Sequence, residues 1–534
     1  MKDRRLIPDQ RDWDAMRASF RWDIPDRFNI AAACCDDWAA EAPERVAVID
    51  ASDGDRGWTY GALRDASDRL ASVFAAAGVG TGDRVAVLLP QAPAVLIAHF
   101  AAMKLGAVGL PLFTLFGPDA LEYRLADSGT KLVVTDAEGA AKLAGLRDRL
   151  PALRDVLSVD GGPARDFWAE IAAADPTPAP RDTGAEDPAV LIYTSGTTGP
   201  PKGVLHAHRF LIGHLPSFEL HHRGTPRPGD CGWTPADWAW IGGLMDMAMP
   251  CLYYGIPLVA CRMRKFDAGQ AWALIDRLQV RNLFLPPTAL KLMREVPVPP
   301  GVSLRSVGSG GESLGADLLD WGRQALGLNI CEFYGQTECN LVVTCVPELM
   351  DAPPGAMGRA TPGFDVAVIG PDGTPLPPGE VGEIAVRRGA APMFLEYLGL
   401  PDKTADKFAG DWMRTGDLGV CDAAGHFTYV ARDDDVITSA GYRIGPTEIE
   451  NCLAAHPDVL MAAVVGEPDP VRTQIVVAHV VLRDGAAWEG LEPTLIQRVR
   501  DHVSPHVAPR KVIRADSLPM TATGKIMRRE LRGG

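Results

Sequence analysis

The sequence predicts an α/β protein: a large N-terminal domain of two doubly wound α/β subdomains plus a small β-barrel, followed by a small α+β C-terminal domain. Three observations predict it. Helix-periodic and strand-like runs alternate through residues 63–135 and again from about 230 to 344, the pattern of parallel sheets covered by helices. After Pro353 the strands shorten and are broken by Gly and Pro, as in a small barrel. Past Arg432 short helices and strands restart, dividing the chain into 1–433 and 434–534.

Taken in order, 63–77 reads as helix, 84–89 as strand, 92–105 as helix, 107–112 as strand, 121–128 as helix and 131–135 as strand. The run 94–113 is mostly apolar, but His99, Lys104, Gly106, Gly109 and Pro111 interrupt it. A buried helix entering a buried strand fits better than a membrane span. Residues 160–188, rich in Pro, Ala, Asp and Gly, read as a surface connection. Strands are expected at 282–285, 304–307, 330–333, 366–369 and 382–387. The last hundred or so residues read as helix 446–455, strands 460–465 and 475–482, helix 493–502 and strand 511–516.

With 534 residues, 23% charged and 47% hydrophobic, the chain is neither disordered nor fibrous. A net charge of -15 argues against nucleic-acid binding, so basic residues inside motifs carry extra weight. Residues 1–10 contain no apolar signal core. Ten cysteines without C-x-x-C or zinc spacing suit a reducing cytoplasm.

Behind the apolar residues 189–192 comes Tyr193, Thr194, Ser195, Gly196, Thr197, Thr198, Gly199, Pro200, Pro201, Lys202, Gly203. Backbone N–H groups of such a loop, with hydroxyls and a lysine, can surround phosphate oxygens. A P-loop would place Gly-Lys-Ser/Thr at a helix start, whereas here two prolines precede the lysine and disfavour helix. A hydroxyl-rich surface turn would share this composition, but further motifs accompany it. Gly308, Ser309, Gly310, Gly311, Glu312 and Ser313 make a strand-to-helix turn that a flat ring or phosphate can approach closely. Glu332, Phe333, Tyr334, Gly335, Gln336, Thr337 and Glu338 end a strand, and packing does not explain the last three together. Asp417 sits in Thr415-Gly416-Asp417, Arg432 opens an acidic cluster containing Asp434, and Lys525 follows Thr523-Gly524.

Together these motifs resemble, over essentially the whole chain, the adenylate-forming superfamily, and within it the medium-chain acyl-CoA synthetases. The resemblance implies ATP, Mg²⁺ and coenzyme A as co-substrates and cofactor, and a mobile C-terminal domain. It implies that Thr194, Ser195, Gly196, Thr197, Thr198, Gly199 and Lys202 hold phosphates, with Gly311, Glu312, Ser313, Glu332, Phe333, Gly335, Gln336 and Arg443 completing the nucleotide site. Tyr334 would stack on adenine, Thr337 reach the α-phosphate, Glu338 bind Mg²⁺, Asp417 accept both ribose hydroxyls and Arg432 hold the nucleotide. Asp434 would be the hinge, and Lys525 would bridge the substrate carboxylate and the α-phosphate. Ala440, Gly441, Tyr442, Arg472 and Arg500 would face CoA. Trp238, Trp240, Ile241, Gly242 and Gly335 would line the acyl pocket, Gly335 standing where acetyl-CoA synthetases carry a closing tryptophan. Met520 departs from the family, where lysine is frequent.

The expected function is therefore an AMP-forming acid:CoA ligase acting through an acyl-adenylate on a medium-chain, branched or otherwise larger-than-acetate acid. The alternatives are an enzyme loading an acyl carrier protein and an aryl-acid ligase of the benzoate type. Amino-acid activators carry an aspartate where Ile241 stands, and no carrier domain is expected after Gly534. A binding protein that keeps the fold without the chemistry would not need Lys525, Glu338 and Asp417. Expected partners are small molecules, without nucleic acid or a membrane span, and a homodimer is left open.

Overall fold

The protein is described from a computed structural model covering residues 4–8, 11–176, 181–194, 200–312, 314–432, 435–439, 442–469, 472–505, 507–521 and 525–532. Three sheets organise it. The first has eight strands in the order Glu396–Tyr397, Lys202–Ala207, Pro188–Thr194, Val108–Pro111, Arg84–Leu88, Leu132–Thr135, Asp155–Ser158 and Arg165–Asp166. Its six strands from Pro188–Thr194 onward run parallel, while Lys202–Ala207 and Glu396–Tyr397 add an antiparallel edge.

Helix Tyr60–Ala76 starts where the Thr59 hydroxyl accepts the Ala62 N–H at 3.2 Å. Helix Pro93–Lys104 has proline in its first turn, and each of its twelve residues is buried, which accounts for the apolar run read in the sequence. Lys104 is tolerated there because Asp36 at 2.7 Å and Asp68 at 2.5 Å neutralise it. The connection 160–188 carries more structure than its composition suggests. Helix Phe167–Ala173 forms in it, capped by Asp166, whose carboxylate accepts the Ala169 N–H at 2.8 Å, and it buries Phe167 and Ile171.

The second parallel block and the short strands after Pro353 share one 14-stranded sheet. Strands Asn282–Phe284, Ser306–Gly310 and Ile330–Gln336 run parallel, and the chain then reverses into Asn340–Thr344. Beyond it Ala356–Ala360, His426–Arg432, Trp412–Cys421, Val381–Arg387 and Val366–Ile369 continue antiparallel around their own core, which includes Tyr334, Ile384, Met413 and Phe427.

The third sheet contains Tyr442–Ile444, Ile437–Ser439, Thr473–Leu482, Val459–Asp469 and Lys511–Arg514. Helices Pro446–Ala454 and Leu491–His502 pack on it around Ile449, Leu453, Val464, Val480 and Leu495. It shares no strand pairing with the other sheets among the described residues. Contact across the divide includes an ion pair between Arg483 and Glu295. No helix of the described residues is long and apolar enough to cross a membrane.

Candidate active site

The residues singled out from strand Ile330–Gln336 meet those of Trp412–Cys421 at one place. Asp417 is 5% exposed and accepts three hydrogen bonds: from the Tyr334 hydroxyl at 2.7 Å, from Gln336 Nε2 at 3.3 Å and from Arg432 Nη1 at 3.2 Å. Arg432 reaches it because Asp417 and Arg432 face each other in register across two antiparallel strands. A carboxylate offers about four lone-pair positions, so ribose hydroxyls would share or replace some of these donors.

Thr337 and Glu338 occupy the tip of a tight hairpin. The Cys339 N–H donates to Gln336 O at 3.1 Å, and Asn340 then closes the turn with φ of 51°. Glu338 is buried and accepts the Tyr397 hydroxyl on Oε1 at 2.6 Å. The Tyr397 ring in turn lies under Lys202, whose Nζ is 4.4 Å from its centroid. Burial lowers the Lys202 pKa, with nearby Glu338 opposing and the cations Lys407, Lys403 and Arg432 reinforcing. A chain of net charge -15 thus gathers its cations here.

Lys525 belongs to a turn in which Thr521 and Lys525 hold each other: Thr521 N–H to Lys525 O at 2.7 Å and Lys525 N–H to Thr521 Oγ1 at 3.1 Å. Its side chain crosses to the N-terminal part. A Cβ placed on Gly311 would lie 3.9 Å from Lys525 Cε and 3.2 Å from the Trp240 ring, so only a small residue leaves the passage open. Lys525 is solvent-accessible by surface area yet densely surrounded. That crowding lowers its pKa, while Asp417 and Glu312 favour its charged form. Glu312 accepts the Thr288 hydroxyl at 3.1 Å, and burial raises its pKa. Glu332, buried below the glycine turn, receives the Leu314 N–H at 3.3 Å and is pushed up to about 8 by burial.

An aromatic wall continues from Trp240. Trp240 and Phe284 have ring centroids 5.7 Å apart, and Phe284 and Phe333 5.5 Å. Trp238, Ile241 and Gly242 are buried in the same stretch. Gly335 is constrained differently from the expectation of an open pocket position. A Cβ there would lie 1.6 Å from Asn340 O, so the glycine is required by the hairpin backbone and a tryptophan could not be added without moving it.

Other expected residues are not joined to this cluster. Arg472 follows the end of strand Val459–Asp469, its N–H on Asp469 Oδ1 at 2.8 Å, and Arg500 is exposed on helix Leu491–His502. No hydrogen bond or ion pair among the described residues links either to the surroundings of Lys525. Thr194 ends strand Pro188–Thr194 beside the start of Lys202–Ala207. Ser195, Gly196, Thr197, Thr198, Gly199, Ser313, Asp434, Ala440 and Gly441 lie outside the described residues, as do the side chains of Tyr442 and Arg443. Asp435, next to the expected hinge, is held by Arg528 at 3.2 Å and Arg532 at 2.6 Å, and Arg528 also grips Glu450 at 2.7 Å.

Two site residues escaped sequence reading. Tyr397 lies 59 positions from its partner Glu338, and Lys407, whose Nζ meets Gln336 Oε1 at 2.9 Å, is 71 positions from Gln336. Neither is flanked by glycine or a hydroxyl cluster, and only the closing of strand Glu396–Tyr397 onto Lys202–Ala207 reveals Tyr397.

Among the described residues no group of three His, Cys, Asp or Glu is arranged to hold a metal. Glu338 fits a Mg²⁺ bound by one carboxylate together with phosphate oxygens, and a dedicated cage is not needed for that.

The chain matches known proteins over most of its length. Residues 35–398 match the family model described as AMP-binding enzyme, and residues 448–525 match the AMP-binding enzyme C-terminal domain. The chain is 33% identical to the human mitochondrial acyl-coenzyme A synthetase ACSM4, over 95% of this chain and 91% of that one. It superposes on the anthranilate CoA ligase AuaEII in complex with anthranoyl-AMP with a TM-score of 0.88 at 25% identity, covering 95% and 97% of the two chains. For a benzoate CoA ligase from Burkholderia xenovorans LB400 the TM-score is 0.84 at 27% identity, covering 95% and 100%.

Proposed function

The chain belongs to the AMP-binding enzyme family and is an AMP-forming acid:CoA ligase using ATP, Mg²⁺ and CoA, and from that premise we propose its site residues and its class of acid. The observation that carries the assignment of roles is the position of Lys525, whose Cε comes from the C-terminal part to 3.9 Å from where a Cβ on Gly311 would stand.

A substrate carboxylate must approach an anionic α-phosphate, so preorganised cations and donors have to offset the repulsion. Lys525 bridges the two reactants, and Thr337 donates to the α-phosphate. Lys202 and the loop it closes hold the outer phosphates. Tyr334 packs on adenine, Asp417 accepts from ribose, and Arg432 keeps Asp417 in place. Mg²⁺, held on Glu338 when bound, supplies neutralisation of phosphate charge. A carboxylate oxygen attacks the α-phosphorus, the bond to pyrophosphate breaks, and an acyl-adenylate forms. The CoA sulfur, having lost its proton, then attacks the acyl carbonyl and AMP leaves with the oxygen that came from the acid.

No hydrogen bond or ion pair among the described residues ties Arg472 or Arg500 to the surroundings of Lys525, which supports a second arrangement for the thiol step. We assign the pivot to Asp434, the unit 434–534 to the moving part, and Ala440, Gly441, Tyr442, Arg472 and Arg500 to the CoA side.

The wall of Trp240, Phe284 and Phe333 supports an apolar acid larger than acetate. Burial of about 0.8 kcal/mol per methylene grades chain lengths without excluding neighbours. The same aromatic wall favours a second reading, an aryl acid, for which the benzoate and anthranilate ligases supply the parallel. All ten cysteines are free, which supports a reducing compartment, and we place the protein in the cytoplasm. Measuring AMP and thioester formation with acids from acetate to decanoate, plus benzoate, tests the acid class. A maximum at intermediate length supports the first reading, benzoate preference the second, and acetate preference contradicts both.

A further inference from the structure

Behind the hairpin that carries Thr337 and Glu338 lies a row of buried polar side chains without a part in the chemistry described above. His214 is fully buried on helix Phe210–His221, Asp246 is 4% exposed on the π-helical turn Leu244–Ala248, and Asn340 is 2% exposed. Asn340 Nδ2 donates to His214 Nε2. The His214 proton is therefore on Nδ1, which donates to Asp246 Oδ1 at 3.2 Å. Phe210 packs edge-on against His214, with ring centroids 4.4 Å apart, and fixes the plane of the imidazole.

Asn340 is the residue whose conformation decides the hairpin. It takes φ of 51°, a left-handed backbone costly for a residue with a side chain, and it pairs in register with Gln336 across the turn. Its carbonyl packs against Gly335, leaving no room for a Cβ there. The orientation of Asn340 thus sets both ends of the segment 335–340. Two buried groups on separate helices hold that orientation, and the buried amide, imidazole and carboxyl satisfy one another.

We propose that Asp246, His214 and Asn340 form a positioning relay that fixes the Thr337–Glu338 tip for adenylate formation. The inference rests on the roles assigned above to Thr337 and Glu338. None of the three touches substrate; they act through the hairpin. The buried His–Asp pair supplies rigidity that a glycine at 340, which can adopt the same backbone, would not supply.

The test compares variants that keep the backbone with variants that cut the relay. Asn340→Gly retains the left-handed conformation and loses the amide. It is expected to lower acyl-adenylate formation about tenfold and to raise the Mg²⁺ concentration for half-maximal rate about threefold or more, because misplacement of a catalytic group by a fraction of an ångström costs this order. Thioester formation from supplied acyl-adenylate should stay within about twofold, and the thermal midpoint should hold. Asp246→Leu should reproduce the loss, and the double variant should fall no further. Asp246→Asn, whose amide oxygen still accepts from His214 Nδ1, should restore most of the rate. Mg²⁺-dependent ATP affinity, measured by calorimetry, follows the hairpin without any acid. Loss of that affinity in Asn340→Gly, beside a wild type that makes no thioester, would support the relay and count against the ligase roles. Wild-type adenylation and Mg²⁺ response in Asn340→Gly, or an Asp246→Asn variant as impaired as Asp246→Leu, would overturn the relay.

Discussion

Replacing Tyr397 with phenylalanine isolates one contact at the centre of the site. The hydroxyl donates to Glu338 Oε1 at 2.6 Å, and both side chains are buried, Tyr397 at 2% and Glu338 at 8% exposure. The ring remains under Lys202 in the variant, so packing and the cation–π contact persist. What is lost is a hydrogen bond to a buried carboxylate, with a net value of about 1.5–3 kcal/mol. If Glu338 holds Mg²⁺ on the phosphates, that loss falls on adenylation. The rate constant for acyl-adenylate formation over the ATP KM should drop about 10- to 100-fold. The assay is ATP–pyrophosphate exchange across a Mg²⁺ titration, with thioester formation from supplied acyl-adenylate as control. An exchange rate and Mg²⁺ response within about twofold of wild type would refute the reasoning, because a bond of this strength cannot be lost without trace if Glu338 acts in the step.

Lys525→Ala should lower adenylate formation by about 10²-fold or more while the thiol step from supplied acyl-adenylate stays near normal; equal losses in both half-reactions would remove its assigned role. Trp240→Ala opens the aromatic wall and should move the preferred acid upward by about two carbons, each methylene being worth about fourfold. An unchanged chain-length profile would place the pocket elsewhere. His206 is buried, stacked 3.7 Å from Phe210, and burial brings its pKa down to about 3. In the unfolded chain it takes up a proton near pH 6.5, so stability is lost as pH falls below that value; at pH 5 the penalty is about 2 kcal/mol. His206→Phe should therefore lose less thermal stability than wild type between pH 7.5 and pH 5, a difference read by melting curves at the two pH values.

The fold was legible wherever burial imposed a period. Strand 84–88 and helix Pro93–Lys104 sit within a residue or two of their expected limits because burial on all sides leaves them almost wholly apolar, with Lys104 paired to Asp36 and Asp68. Helix Phe167–Ala173 was hidden by a Pro- and Asp-rich setting, since only Phe167 and Ile171 face inward and two residues make no period. The continuity of the second sheet was hidden as well: Gly232–Trp233, which links Asn282–Phe284 to Leu258–Ala260, is two residues long. Gln336, Thr337, Glu338, Asp417 and Lys525 could be read because each lies in a short string that resembles a family motif, and the fold brings Gln336 and Asp417 within hydrogen-bond reach of each other. His214, Asp246 and Asn340 could not. His214 and Asn340 are separated by 126 positions and nothing adjacent to either signals the other. A buried histidine in an apolar helix looks the same in sequence whether it fills space, as His221 in the same helix would, or orients a turn.

The central claim is that this chain joins an acid to CoA through an acyl-adenylate, with attack by the carboxylate on the α-phosphorus of ATP. Turnover of an acid labelled with ¹⁸O in its carboxyl group, followed by mass spectrometry of the nucleotide and phosphate products, tests that directly. The account predicts one labelled oxygen in AMP and none in pyrophosphate. Label in inorganic phosphate with ADP as the nucleotide product, or unlabelled AMP beside the thioester, would contradict it.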